Sequence, residues 1–135
     1  MKTSKIVAML GFVVKLLDGL AFAQSPPKIQ VLAWNCYFGA GVMKTGGEVK
    51  NISDAPISDL SPNVTFRDSN GTFLSNAEFF LDYNPLLPGQ TSPFHVWSNS
   101  VNPAIATAEL ALIAGDRQPV ELVGKTSTKC DKSIY

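Results

Sequence analysis

KIQVLAWNCYF, residues 28–38, decides the fold class, because apolar and polar side chains alternate along it. One face of this segment would carry Ile29 and Val31, and the other face would carry Trp34 and Cys36. A period of two with β-branched and aromatic residues is typical of a β-strand. The segment therefore predicts a strand whose core face holds Trp34 and Cys36.

Several further segments have strand character, and turn-forming residues separate them about every 8–12 residues, the spacing of a sandwich or barrel. They are residues 42–44, 48–52, 63–67, 72–74, 94–97, 104–113 and 120–123. Segment 104–113 is rich in Ala and Leu and could form a helix, but its alternation favours a strand. The predicted fold is all-β: an immunoglobulin-like sandwich of about seven strands, with a small β-barrel as the alternative.

Turns are predicted where glycine follows a polar residue or proline. Residues 45–47 contain a Gly-Gly pair, and Asn70-Gly71 is a strong hairpin signal because both residues tolerate positive φ. Leu87-Pro88-Gly89-Gln90 places Pro and Gly at the central positions of a type II turn.

The N-terminal residues read as a cleaved secretory signal. Lys2 and Lys5 precede an apolar run over residues 6–14, and Ala21-Phe22-Ala23 has the small-x-small pattern of a cleavage site. The unbroken run is far shorter than the roughly 20 residues of a spanning helix, so no membrane span is expected in the mature chain. We expect an exported protein, periplasmic or secreted.

The predicted organisation is a signal peptide over residues 1–23, a linker over 24–28, the sandwich over 29–124 and a tail over 125–135. Removal of the signal leaves eight basic and ten acidic residues, a net charge of −2. A nucleic-acid partner needs a basic surface, and so does an electrostatic membrane binder. Neither partner is expected.

The chain has two cysteines, Cys36 and Cys130. An even number in an exported chain favours a disulfide, which would tie the otherwise loose tail to the domain. Its loop of about 95 residues is worth roughly 4–5 kcal/mol in the chain-entropy model. The alternatives are two free thiols or a redox pair, although the C-x-x-C spacing of such pairs is missing.

Three pieces of sequence follow one another along the chain: a G-x-V-x-N-x-S strand at residues 47–53, a strand ending in D-x-x-G at 64–71, and an L-P-G-x-x-x-x-F turn at 87–94. In this order they resemble the FxLYD type of small bacterial envelope domain. Of the family's F-x-L-Y-D run, which falls at residues 64–68, this chain keeps Asp68. The resemblance covers about residues 42–113. It implies an immunoglobulin- or fibronectin-like sandwich in a bacterial envelope, without catalytic activity.

No constellation of residues indicates catalysis, a metal or a cofactor. His95 is the single histidine, it is expected on an exposed strand face, and no G-x-S-x-G elbow supplies a nucleophile. Met43 and the two cysteines are soft ligands, but no ligand spacing joins them to His95. The acids Asp54, Asp59, Asp68 and Asp82 lie at turns, where they bond nearby backbone N–H groups.

Aromatic residues supply the candidate contact surface. Phe79 and Phe80 are adjacent, so both cannot face one core, and Tyr83 follows closely. We therefore expect a non-enzymatic module that contacts an envelope or extracellular protein through these three residues or a strand edge. The alternative function is a carrier that binds a small apolar ligand between the sheets. A hydrolase is the third hypothesis. Three N-x-S/T triplets begin at Asn51, Asn63 and Asn70, and their use depends on the host.

Overall fold

A computed structural model of the chain describes residues 26–98 and 102–131, and these residues form eight β-strands. The strands are β1 (Ile29–Gly39), β2 (Val42–Asn51), β3 (Ser61–Arg67), β4 (Phe73–Glu78), β5 (Thr91–Ser98), β6 (Thr107–Ile113), β7 (Leu122–Gly124) and β8 (Ser127–Asp131). No residue in the two described ranges is helical. The all-β prediction is confirmed, with eight strands in place of about seven. The predicted signal peptide, residues 1–23, lies outside the described residues.

The strands form a sandwich whose two sheets share one strand. One sheet has the order β5-β2-β1, and the other has the order β4-β3-β6. Strand β8 pairs antiparallel with β6 and parallel with β1, and the short β7 also pairs parallel with β1. Residues 127–131 therefore connect the sheets into one curled array that ends at β4 and β5.

Strand β1 changes its buried face halfway along. Ile29 and Val31 are buried, and so are Trp34 and Cys36, although the two pairs have opposite parity. The register with β2 shifts between Val31 and Trp34, which marks a β-bulge. The prediction that Trp34 and Cys36 face the core is confirmed, while the prediction that Ile29 and Val31 face away is wrong. An extra residue at a bulge reverses the alternation that follows it.

Strand β2 runs without interruption through the Gly-Gly pair. The predicted turn at residues 45–47 is wrong, because Gly46 pairs with Asn35 and Gly47 pairs with Trp34. Gly47 lies against the bulged part of β1, where a Cβ would overlap Trp34 and the Ala33 carbonyl oxygen. Gly47 therefore permits a close approach of the β1 and β2 backbones within the sheet.

The segment predicted as a loose tail contains a strand. Residues 127–131 form β8, with no fully buried side chain. The sequence did not predict β8 because the segment is polar. Backbone pairing and Cys130 attach β8 to the domain, and it has no apolar face. The Nε1–H of Trp34 also donates to the Lys125 carbonyl at 2.7 Å, just before β8. The folded domain therefore extends to at least residue 131.

The other two predicted turns are confirmed. Gly71 has a φ of 83° and its N–H donates to the Asp68 carbonyl, while Asp68 Oδ1 accepts from Asn70 and Thr72. Gly89 has a φ of 79°, and the Gln90 N–H donates to the Leu87 carbonyl. Both turns place glycine where a side chain would be strained.

Apolar side chains from both sheets fill the space between them. The largest that are completely buried are Ile29, Met43, Val49, Val64, Phe66, Leu86, Phe94, Val96, Ile105 and Leu112. Trp34 packs on Phe94, with ring centroids 6.0 Å apart. The buried side-chain nitrogen and oxygen atoms among the described residues all have hydrogen-bond partners.

Candidate functional surface

The two cysteines form the predicted disulfide. Cys36 in β1 pairs with Cys130 in β8 at the same position of the parallel register, and their Cα atoms are 4.5 Å apart. Cys36 is buried against the core and Cys130 is half-buried. The bond therefore joins the first and last described strands.

Four exposed aromatic side chains lie in segment 79–83 and on the neighbouring strand β5, and we call them the aromatic surface. They are Phe79, Phe80, Tyr83 and Trp97. Phe80 is the most exposed, at 81%, while Tyr83 and Trp97 are each 47% exposed and Phe79 is 37% exposed. The expectation that Phe79 and Phe80 cannot both enter the core agrees with this placement.

The chain after β4 carries Phe79, Phe80 and Tyr83 as it crosses from one sheet to the other. The Phe79 N–H donates to the Pro62 carbonyl, and the buried Leu81 is anchored in the same way to the Leu60 carbonyl. At the far end the Tyr83 N–H donates to Ser92 Oγ in β5 at 3.4 Å. Residues 79–83 thus run beside β5 with their aromatic side chains toward solvent.

Trp97 joins the aromatic surface from β5. It lies on the outer face with His95, since Phe94 and Val96 point into the core. The rings of Trp97 and Phe79 are tilted at 53° with centroids 6.3 Å apart, and Lys44 Nζ lies 5.4 Å from the Trp97 centroid. Trp97 was not among the contact residues predicted from the sequence, although the alternation of segment 94–97 places it on the face opposite Phe94 and Val96.

One ion pair borders the aromatic surface. Arg117 Nη1 lies 2.8 Å from Glu78 Oε2, at the last residue of β4. The hydrogen bond from Arg117 is the main reason that the pKa of the Glu78 carboxyl lies below its usual value. Glu78 is therefore ionised at neutral pH.

His95 is exposed on the outer face of β5, as the sequence predicted. Its ring has no hydrogen-bond partner or acid partner among residues 26–98 and 102–131. Within the same ranges, no three His, Cys, Asp or Glu side chains converge as metal ligands would. Among the described residues, no acid and hydroxyl pair lies around this histidine as the hydrolase hypothesis requires.

The packing of the core tests the carrier hypothesis, which requires space for a ligand between the two sheets. Phe66 and Phe94 are completely buried, as are the aliphatic residues around them. These side chains occupy the volume between the sheets where a small apolar ligand would have to lie. The geometry therefore weighs against a ligand-binding cavity there.

The three N-x-S/T triplets lie in different environments. Asn51 is completely buried and its Nδ2 donates to the carbonyls of Ala55 and Leu86. Asn63 lies in β3 and exchanges amide hydrogen bonds with Asn76. Asn70 is exposed at the tip of the β3–β4 turn. Only Asn70 presents its side chain freely to solvent.

The described residues contain no helix that is long and apolar enough to cross a membrane.

No protein-family model matches this sequence, and no curated protein matches it. Solved structures do resemble the fold. The archaellum periplasmic stator complex of FlaF and FlaG from Sulfolobus acidocaldarius matches with a TM-score of 0.52 and 10% identity, over 78% of this chain and 90% of that chain. The putative ApaA protein from Bordetella pertussis matches with a TM-score of 0.51 and 16% identity, over 81% of this chain and 97% of that chain.

An enzyme is also among the similar structures. A calcium-binding mutant of Bacteroides uniformis β-glucuronidase 2 matches with a TM-score of 0.53 and 14% identity, over 76% of this chain. This chain spans only 14% of the length of that enzyme. At such low identities, the likeness shows a shared β-rich sandwich fold and nothing about activity.

Proposed function

We propose that this chain is an exported, non-enzymatic β-sandwich module that binds another protein of the cell envelope through the aromatic surface. The observation that carries the proposal is the exposure of Phe79, Phe80, Tyr83 and Trp97 along segment 79–83 and the neighbouring strand β5, where the Phe79 and Trp97 rings are in contact. Large contiguous apolar groups at a surface are unfavourable in water, and in soluble proteins they commonly mark contact sites.

Export is supported by three independent features. The leader has a charged, then apolar, then small-residue pattern. A structural disulfide such as Cys36–Cys130 is typical of proteins in an oxidising compartment. The FxLYD resemblance implies a bacterial envelope, and the similar structures include a periplasmic stator complex.

The partner's chemistry follows from the composition of the surface. Phe80 and Tyr83 offer apolar area with a hydroxyl at its margin, which suits a partner segment with an aromatic or aliphatic anchor. Lys44 lies over the Trp97 ring and adds a cation at the opposite margin. An apolar segment with an acidic neighbour fits both features.

The test is affinity capture from the native envelope with the double variant Phe80→Ser/Tyr83→Ser. Both side chains are exposed, so the change should leave the free energy of unfolding within about 0.5 kcal/mol. Loss of two aromatic anchors should weaken binding by about 2 kcal/mol or more, roughly 30-fold. The measurement is the recovery of the captured protein, followed by its affinity for the purified module.

Val123→Ser is the matched control, because Val123 is an apolar residue 43% exposed on β7. A protein captured by the wild type and by this control, but not by the double variant, would support the proposal. Equal capture by all three would overturn it.

A further inference from the structure

Asn70-Gly71 is a chemically labile pair at the tip of the β3–β4 turn. Of the asparagines in the sequence, only Asn70 is followed by glycine. A backbone nitrogen can attack the side-chain amide of the asparagine before it, and glycine hinders this attack least because it has no side chain. The other asparagines precede bulkier residues, such as Ile52 after Asn51, or proline, which lacks an N–H.

The structure leaves both reacting groups accessible. The Asn70 side chain is exposed, and its amide has no hydrogen-bond partner in the described parts of the chain. A Cβ on Gly71 would meet no atom within 4 Å apart from its chain neighbours, so the space around this residue is open. By contrast, the Asn51 amide is buried and donates to two carbonyls, and the Asn63 amide is bonded to Asn76. Accessibility and sequence therefore single out the same asparagine.

We propose that Asn70 deamidates without an enzyme, in the folded protein, through a cyclic succinimide, and that Asp68 sets the rate. The Gly71 nitrogen loses its proton to hydroxide and attacks Asn70 Cγ, so that a new C–N bond forms as the Cγ–Nδ2 bond breaks. The Nδ2 group takes a proton from water and leaves as ammonia. Water then opens the ring at either carbonyl and yields aspartate or isoaspartate.

Asp68 opposes the first step by holding the turn closed. Its carbonyl accepts the Gly71 N–H at 3.0 Å, so the attacking nitrogen points toward Asp68 and keeps its proton. Its Oδ1 accepts from the N–H groups of Asn70 and Thr72, each at 2.9 Å. Attack therefore requires the turn to open, and the rate follows the fraction of molecules in which it is open. Asp68 is thus a positioning residue that acts through the backbone.

The products change the turn in two ways. Either product replaces a neutral amide by a carboxylate two residues from Asp68. Isoaspartate also adds one carbon to the main chain between residues 70 and 71, so the Gly71–Asp68 hydrogen bond loses its register. Because β4 begins at Phe73, a longer turn should loosen the start of the β3–β4 pairing.

The test follows residue 70 by peptide mapping and mass spectrometry, in the purified exported chain held at a fixed temperature and neutral pH. The folded wild type is compared with the wild type in urea and with Asp68→Ala, Asp68→Asn and Ser69→Ala. Loss of both Oδ1 hydrogen bonds in Asp68→Ala should speed deamidation of the folded chain at least about fivefold. An asparagine oxygen can still accept both bonds, and the Ser69 side chain is exposed, so the other two variants should keep the wild-type rate.

Both isoaspartate and aspartate should appear at residue 70, because direct hydrolysis of the amide gives aspartate alone. The wild type in urea should convert fastest, and this comparison decides the matter if Asp68→Ala does not fold. Equal rates in the folded and unfolded wild type would overturn the inference, and so would a folded Asp68→Ala that converts no faster than the wild type. Aspartate without isoaspartate, or faster conversion at another asparagine, would overturn it as well. None of these outcomes changes capture through Phe80 and Tyr83, so the proposed function is tested separately.

Discussion

Asn51 organises the loop that follows β2, and its side chain uses its hydrogen-bonding capacity fully. Its Nδ2 donates to the carbonyls of Ala55 and Leu86, each at 2.9 Å. Its Oδ1 accepts from the N–H and the hydroxyl of Ser53. The sequence identified this asparagine only as a strand end and a possible glycan acceptor, because partners 35 residues away depend on the tertiary fold.

Asn51→Ala should therefore destabilise the domain. Four side-chain hydrogen bonds of Asn51 would be lost, although the Leu86 carbonyl keeps the Ile57 N–H and the Ala55 carbonyl keeps the Ser53 hydroxyl. Each such bond contributes about 0.5–1.5 kcal/mol net. We expect the free energy of unfolding in urea to fall by about 2–3 kcal/mol. Asn70→Ala is the control, since this exposed turn residue should change stability by less than about 0.5 kcal/mol. Equal effects of the two substitutions would contradict the assigned role of Asn51.

At the scale of the elements, the sequence predicted those turns and strands that are determined by residues close together in the chain. The β3–β4 hairpin was predictable because Asp68 and Gly71 form its turn within a few residues. The bulge in β1 was not, because a one-residue insertion leaves the composition of a strand unchanged and only shifts its parity. Gly46-Gly47 was predicted as a turn because glycine is common in turns, but both residues lie within β2, where Gly47 permits a close approach of the β1 backbone.

The bulge makes the two adjacent glycines unequal. A Cβ at Gly47 would overlap Trp34 and the Ala33 carbonyl oxygen, whereas at Gly46 it would lie 3.5 Å from its nearest neighbours. Gly47→Ala should lower the free energy of unfolding by about 1–3 kcal/mol or more, because backbone atoms must shift. Gly46→Ala should change it by less than about 1 kcal/mol.

Chemical denaturation of both variants measures the difference, and the fluorescence of Trp34 and Trp97 reports the transition. Similar midpoints for Gly46→Ala and Gly47→Ala would show that the backbones of β1 and β2 are not closely packed there.

At the scale of the whole molecule, composition and periodicity predicted the all-β class and the cysteine pair. They did not predict β8, because strand formation there depends on edges supplied by β1 and β6. The aromatic surface was predicted in part. Adjacent Phe79 and Phe80 indicated exposure by themselves, but Trp97 joins them only through the packing of residues 79–83 against β5.

The disulfide closes nearly the whole domain into one loop, since Cys36 and Cys130 are 94 residues apart. In the chain-entropy model, such a loop restricts the unfolded state by about 4–5 kcal/mol. That is a large fraction of the 5–15 kcal/mol typical of a domain. The bond also holds β8, which has no buried apolar side chain of its own to keep it between the sheets.

The double variant Cys36→Ala/Cys130→Ala should therefore show two linked effects. Its free energy of unfolding in urea should drop by up to about 4 kcal/mol. Amide exchange in residues 127–131 should accelerate more than exchange in β3, whose register with β6 does not depend on the bond. Reduced wild type serves as the control for lost packing at Cys36 and should match the variant. An unchanged midpoint with β8 still protected would mean that strand pairing and the Trp34–Lys125 hydrogen bond hold β8 without the disulfide.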